Sequence, residues 1–223
     1  MDFQELLKQR TNIISCASDS DWHKARKLSS TRASAILGSN PYVSNVDVWE
    51  LLMGYRKEKD ISDNANVQFG LDAEKHIRAL FRLESKDTYE VIEPETHRVV
   101  YAHKEKPYLT CSTDGFALDK SNNELGVMEI KTTNILSSVH RESWKDGIPQ
   151  NYYVQLIDEI MVTGLDFGLL IAYLRYTDYS ILKVYKVLRS EVEKEIEELF
   201  NQLVYFYEEY ISKGKKPPLV INL

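Results

Sequence analysis

The sequence predicts an α/β (α+β) fold, a mixed central β-sheet flanked by helices. Segments of helical periodicity come first, a group of strand-like runs follows, and a helix, two strands and a last helix complete the order. The strand-like runs are short, rich in apolar residues and bounded by turn residues. The 223 residues suit a single domain, taken as 1–223, with a full core.

Residues 2–9 form a first short helix. A second starts over Ser29 to Leu37 and is broken by "GSNPY". Ser44 or Asn45 caps a third in "VDVWELLMG", which stops at Gly54. The polar stretch "YRKEKDISDNAN" is a loop. Residues 71–83 place apolar side chains at 73, 77, 80 and 81, a helical spacing. Strands are expected at 89–92, 97–102, 108–118 and 125–132, with "DKSNNELG" turning between the last two. "PQNYYVQLIDEIMVT" is a helix, and "FGLLIAYLR" and "SILKVYKVL" are strands. For the last helix Ser190 and Glu193 predict a capping box. Its apolar stripe at 192, 196, 199, 200, 203, 207, 210 and 211 is core packing.

Hydrophobic residues make up 43% and charged residues 28% of the chain, as in ordinary globular proteins. Cys16 and Cys111 are the only cysteines. That excludes a four-cysteine zinc or iron–sulfur site and favours a reducing compartment. "MDFQELLKQR" has no apolar signal core, and no run approaches the roughly 20 apolar residues of a membrane span. A cytoplasmic protein with no membrane partner is expected. The net charge of −6 argues against a basic coat, yet a local basic channel is enough to steer nucleic acid.

The informative stretch is "CSTDGFALDKSNNELGVMEIKTT", residues 111–133. Alternation along a strand puts Glu129 and Lys131 on one face and Met128 and Ile130 on the other. A partner strand carrying Asp114 brings a second carboxylate beside Glu129, and Gly115 permits close backbone approach there. Two adjacent carboxylates repel unless a cation intervenes. Oxygen-only ligands favour Mg²⁺, with Mn²⁺ as a substitute, over zinc. Such a metal activates water and stabilises charge on a phosphoryl group, which Lys131 also neutralises. Spacing alone leaves open the plainer alternative of a solvated edge strand with a Glu–Lys pair. Glu74 flanks the stripe of 73, 77, 80 and 81. By itself it reads as a boundary residue reaching water.

In order along the chain, "DWHKARKLSSTRASAILGSNPY", "FGLDAEKHIRALF", "YLTCSTDGFA", "VMEIKTT" and "YYVQLIDEIMVTG" resemble the phage lambda exonuclease and YqaJ-type viral recombinase family. It is a branch of the PD-(D/E)XK nucleases, and the similarity covers about residues 21–175. The resemblance implies a restriction-endonuclease-like fold. Asp114, Glu129 and the Ile130 carbonyl would bind metal, and Lys131 would be the catalytic lysine. Glu74 would assist a second metal or its water shell. Gln155 matches the glutamine of the family's Y-x-x-Q helix. Arg26 and Thr31 match positions that hold a DNA 5′-phosphate, and Arg32 joins them. Trp22 and Trp49 read as packing residues. Ile157 stands where the family often has a second glutamine. Thr31 replaces the commoner serine, and Thr113 the commoner proline or serine. Arg141 is the nearest candidate for the basic residue that follows the E-x-K strand in the family.

The resemblance further implies a 5′-to-3′ exonuclease on double-stranded DNA ends. It would be a ring-shaped homotrimer that hands 3′ single strands to an annealing protein. An endonuclease of restriction or repair type and a non-catalytic DNA-end binding protein are the alternatives.

Overall fold

The computed structural model describes residues 3–94, 96 and 98–220. Helices run over Phe3–Arg10 (α1), Asp19–Ala25 (α2), Ser30–Ile36 (α3), Asn45–Leu52 (α4), Ala65–Glu84 (α5), Ser138–Ser143 (α6), Gln150–Thr163 (α7) and Glu193–Phe206 (α8). Strands run over Asn12–Ser15 (β1), Leu28–Ser29 (β2), Tyr89–Ile92 (β3), Val99–Ala102 (β4), Leu109–Cys111 (β5), Gly115–Asp119 (β6), Leu125–Asn134 (β7), Phe167–Arg175 (β8) and Ser180–Leu188 (β9). A π-helical turn over Tyr207–Ile211 extends α8.

The expected central sheet is two mixed sheets. The five-stranded sheet has the order β3-β6-β7-β8-β9, with β7 and β8 parallel and the other pairs antiparallel. The four-stranded sheet has the order β1-β4-β5-β2, closed by the parallel β2–β5 pair. The run 108–118, read as one strand, crosses between them. At Thr113 the hydroxyl accepts from the Gly115 amide (3.2 Å) and donates to the Gly115 carbonyl (2.8 Å). That local turn ends β5 and delivers Asp114 to the head of β6. A Cβ on Gly115 would lie 3.2 Å from the Ile92 carbonyl, so the glycine does permit a close backbone approach.

Helix α7 is buried from Val154 to Thr163. It packs on α3 and on both sheets, within a core that includes Leu28, Trp49, Val127, Leu156, Ile160, Leu170 and Leu203. On the opposite face of the five-stranded sheet, Ile77 and Phe81 of α5 pack on Met128, Ile130, Phe167 and Leu169. The alternation read in 128–131 therefore decides which layer each side chain meets. Gly168 lets α7 sit close, because a Cβ there would be 2.8 Å from Leu156 Cδ1.

Other corrections are local. The predicted Ser190–Glu193 capping box does not form: Arg189–Glu191 is a 3-10 turn, and α8 starts after Val192 without a side-chain cap. Helix α5 begins well before residue 71, because Asn64 caps it by accepting from the Asn66 amide. The strand expected at 97–102 is observed from Val99, and position 97 lies outside the described residues. Position 2 of the first helix lies outside them too. Strands β1 and β2 and helices α2 and α6 are short and were not expected. Of the two candidates Ser44 and Asn45, Ser44 caps α4, in a capping box with Asp47. No helix among the described residues is long and apolar enough to cross a membrane.

Candidate active site

The charges of the 111–133 stretch converge where the start of β6 meets β7. The Asp114 amide donates to the Met128 carbonyl (3.0 Å), and the Ile130 amide donates to Asp114 Oδ2 (2.7 Å). One carboxylate oxygen is thus fixed by backbone. Glu129 is 4% exposed, too buried to be the solvated strand face of the plainer alternative. Its Oε1 accepts from Lys131 Nζ and from Gln155 Nε2, the latter at 2.6 Å. Lys131 Nζ also lies 5.2 Å from the centroid of the Tyr152 ring. Gln155, expected only from resemblance, is therefore in direct contact with the hairpin acid.

Glu74 enters from α5 and is held by Arg78, a contact the sequence reading missed. Arg78 is itself buried, and its Nε donates to the Asp114 carbonyl (2.8 Å). One guanidinium thereby ties the helix acid to the backbone of the strand acid. The pairing has a sequence signal, since Glu74 and Arg78 are four apart on one helix face.

The electrostatics follow from crowding. Asp114 keeps some solvent exposure, yet enclosure by the protein and then Glu129 and Glu74 raise its pKa well above normal, against Lys131 and the Ile130 amide. Burial also raises Glu74, with Arg78 opposing. Burial disfavours the Lys131 charge, but Glu129 and Asp114 outweigh it, so its pKa is raised and it stays an ammonium. Beneath them Glu159 is fully buried; Gln155 Nε2 donates to its Oε1 (3.0 Å), while its Oε2 has no hydrogen-bond partner. Burial and then Glu129 push its pKa well up.

Among the described residues no three His, Cys, Asp or Glu side chains are gathered as ready metal ligands. Glu129 and Glu74 are instead turned onto Lys131 and Arg78, and Asp114 onto the Ile130 amide. The donor set still fits a hard divalent cation. It is all oxygen, and the neighbouring acids Glu129 and Glu74 add to the raised proton affinity of Asp114, a crowding that a shared cation relieves.

A second cluster lies on α2 and α3. The Arg26 guanidinium covers the Trp22 ring at 4.2 Å and donates to the exposed Thr31 hydroxyl (3.3 Å). Arg26 Nε and Trp22 Nε1 are buried donors without partners. Burial and then Arg32 lower the Arg26 pKa, offset by Glu58 and Glu129. Arg26 therefore lies within electrostatic reach of Glu129. Arg32 turns inward, bonding the Arg26 and Lys27 carbonyls and facing Glu58 (3.5 Å). Glu58, from the polar loop, also meets His23 Nδ1 at 2.9 Å. Trp22 is half-buried beside this cluster, whereas Trp49 is a core residue as expected. Arg141 is exposed on α6.

Among solved structures the fold is similar to an alkaline exonuclease (LHK-Exo) from Laribacter hongkongensis. The match has 21% identity and a TM-score of 0.61, and covers 87% of this chain and 97% of that one. The same exonuclease in complex with dAMP matches at 20% identity and TM-score 0.53, over 86% and 96%. A phage-related exonuclease from Haemophilus somnus matches at 15% identity and TM-score 0.49, over 91% and 92%. No curated protein matches the sequence. Residues 21–166 match the YqaJ-like viral recombinase domain, more than half of the chain. The chain therefore belongs to the YqaJ-like viral recombinase family.

Proposed function

We propose that this protein is a Mg²⁺-dependent exonuclease, with Mn²⁺ as a substitute, acting 5′-to-3′ on double-stranded DNA ends. The observation that carries the reading is the joint placement of Asp114, Glu129, Lys131 and Gln155 around one point. Family membership and the exonuclease fold neighbours support it.

Asp114, Glu129 and the Ile130 carbonyl would hold the cation, with Glu74 assisting from α5. When bound, it supplies Lewis-acid activation of water and charge stabilisation at the phosphoryl group. The protein's own groups do the rest. Lys131 is a fixed positive charge that aligns Glu129 and faces the charge developing on the scissile phosphate. Gln155 keeps Glu129 in place from α7. Arg26 and Thr31, with Arg32 beside them, would hold a terminal 5′-phosphate, a bidentate task suited to a guanidinium. Arg32 braces the Arg26 backbone. A phosphate gripped at Arg26 sets the polarity of digestion, leaving a 3′ single strand for an annealing protein. A ring-shaped homotrimer around DNA and a cytoplasmic location, in a bacterium or a phage-infected cell, belong to the same proposal. The whole of 1–223 is taken as its nuclease domain.

The test is digestion of linear duplexes with defined 5′ or 3′ ends, with a circular duplex as control. Shortening from 5′-phosphorylated ends is expected, with the circle intact. Lys131→Ala should lower the rate by about 10²–10³-fold, the scale of losing one charged stabiliser of the transition state. Undiminished cleavage by that variant would overturn the site. Cutting of the circle would replace the exonuclease with an endonuclease. Binding to ends without cleavage would leave a DNA-end binding protein.

A further inference from the structure

Glu159 is absent from the metal set, and the family resemblance assigns it nothing. Yet it sits four residues after Gln155, on the same face of α7, one hydrogen bond behind the hairpin acid. Gln155 Nε2 carries two hydrogens, and both are used: one to Glu129 Oε1 at 2.6 Å, one to Glu159 Oε1 at 3.0 Å. Turned over, the amide would set its oxygen against Glu129 Oε1, which already accepts from Lys131. By accepting the second hydrogen, Glu159 Oε1 holds Gln155 in the orientation that donates to Glu129.

The cost of that arrangement is visible. Glu159 is fully buried, and its Oε2 has no hydrogen-bond partner. An apolar side chain of similar shape would avoid this penalty, so packing alone does not account for a carboxyl group here. Ile157, at the position where the family often places a second glutamine, packs into the core. The polar neighbour of Gln155 thus comes from the next turn of the helix. Gly168 seats that helix tightly on β8, so the relay stands on rigid elements.

We propose that Glu159 is a positioning residue: through Gln155 it fixes the orientation of Glu129 and thereby tunes the affinity of the Asp114–Glu129 site for a divalent cation. This rests on the metal-dependent reading of the site. Groups that orient metal ligands typically change metal affinity by about 10–100-fold when removed.

The test uses Mn²⁺ binding by isothermal titration calorimetry on the full chain without DNA, together with thermal melting and the nuclease rate at saturating Mn²⁺. Glu159→Leu should weaken Mn²⁺ binding about tenfold or more while melting no lower than the wild type. A purely structural residue would not separate the two readouts in this direction. Glu159→Gln keeps an oxygen acceptor at the same reach and should bind Mn²⁺ nearly as the wild type does. The double variant Gln155→Leu/Glu159→Leu should be no weaker than Gln155→Leu alone, because both act through one amide. If Glu159→Leu does not fold, Glu159→Met serves as the apolar replacement with the same expectation.

Unchanged Mn²⁺ affinity in the apolar variant would overturn the proposal, as would losses that multiply in the double variant. Failure of the wild type to bind Mn²⁺ would do so too. A wild type that binds Mn²⁺ but degrades no DNA would remove the nuclease reading and leave the relay standing.

Discussion

Replacing Asp158 by Asn should remove a pH dependence of stability that arises from one buried acid. The Asp158 side chain is 0% exposed, and neither oxygen has a hydrogen-bond partner. Burial pushes its pKa up to about 8; Ser30 lies near enough to ease the shift, though its own hydroxyl completes no hydrogen bond. In the unfolded chain an aspartate titrates near ~3.9. Between those values the folded protein holds a proton that the unfolded chain has lost. Stability therefore falls as pH rises through this window, and levels off above pH 8. At about 1.4 kcal/mol per pH unit, the loss between pH 5 and pH 9 is about 4 kcal/mol. Asn has the shape of the neutral acid and carries no such loss, so Asp158→Asn should gain about that much on the wild type over the same interval. Asp114 and Glu159 also have raised pKa values, but both remain in the variant, so the difference between the two proteins isolates position 158. Urea unfolding at pH 5, 7 and 9 in metal-free buffer reads it directly. Two stability–pH curves that stay parallel would refute the reasoning.

Arg26→Gln keeps a donor and loses the charge. It should cost about 10–100-fold in kcat/KM on 5′-phosphorylated ends, the scale of charge-assisted hydrogen bonds. On 5′-hydroxyl ends it should cost little, and an equal loss on both would remove Arg26 from phosphate binding. Gly168→Ala places a Cβ 2.8 and 2.9 Å from Leu156 Cδ1 and Cγ and 3.0 Å from Ile160 Cδ1. Overpacking of this kind costs about 1–3 kcal/mol, to be read as a lower urea midpoint. An unchanged midpoint would show that α7 yields without cost.

Long periodic segments were legible before any coordinates. Strands β3, β8 and β9 fall where alternation and apolar runs place them. The break inside 108–118 was not, because a hydroxyl bonding its own backbone two residues on leaves no mark on hydrophobic periodicity. Helix α2 has no buried residue, so it carries no apolar stripe to read. At the site, the shared face of Glu129 and Lys131 was readable from the pleat alone. Glu74, Gln155 and Arg26 were recognisable only through family resemblance. Arg78 and Glu159 looked like ordinary helix residues, and only burial against a strand gives them their partners.

The sequence by itself determined the chemistry on offer: carboxylates and an ammonium at strand spacing, a basic segment ahead of α3, and too few cysteines for a four-cysteine metal site. Period-two alternation is a local property of the chain, so Glu129 and Lys131 share a face whatever the rest of the fold does. The tertiary structure decided which acids meet. Asp114 reaches Ile130 because the chain changes sheets at Thr113, and Gln155 reaches Glu129 because α7 is buried against β7 and β8. Those contacts join residues far apart in sequence, and the packing of α5 and α7 on opposite faces of one sheet sets them.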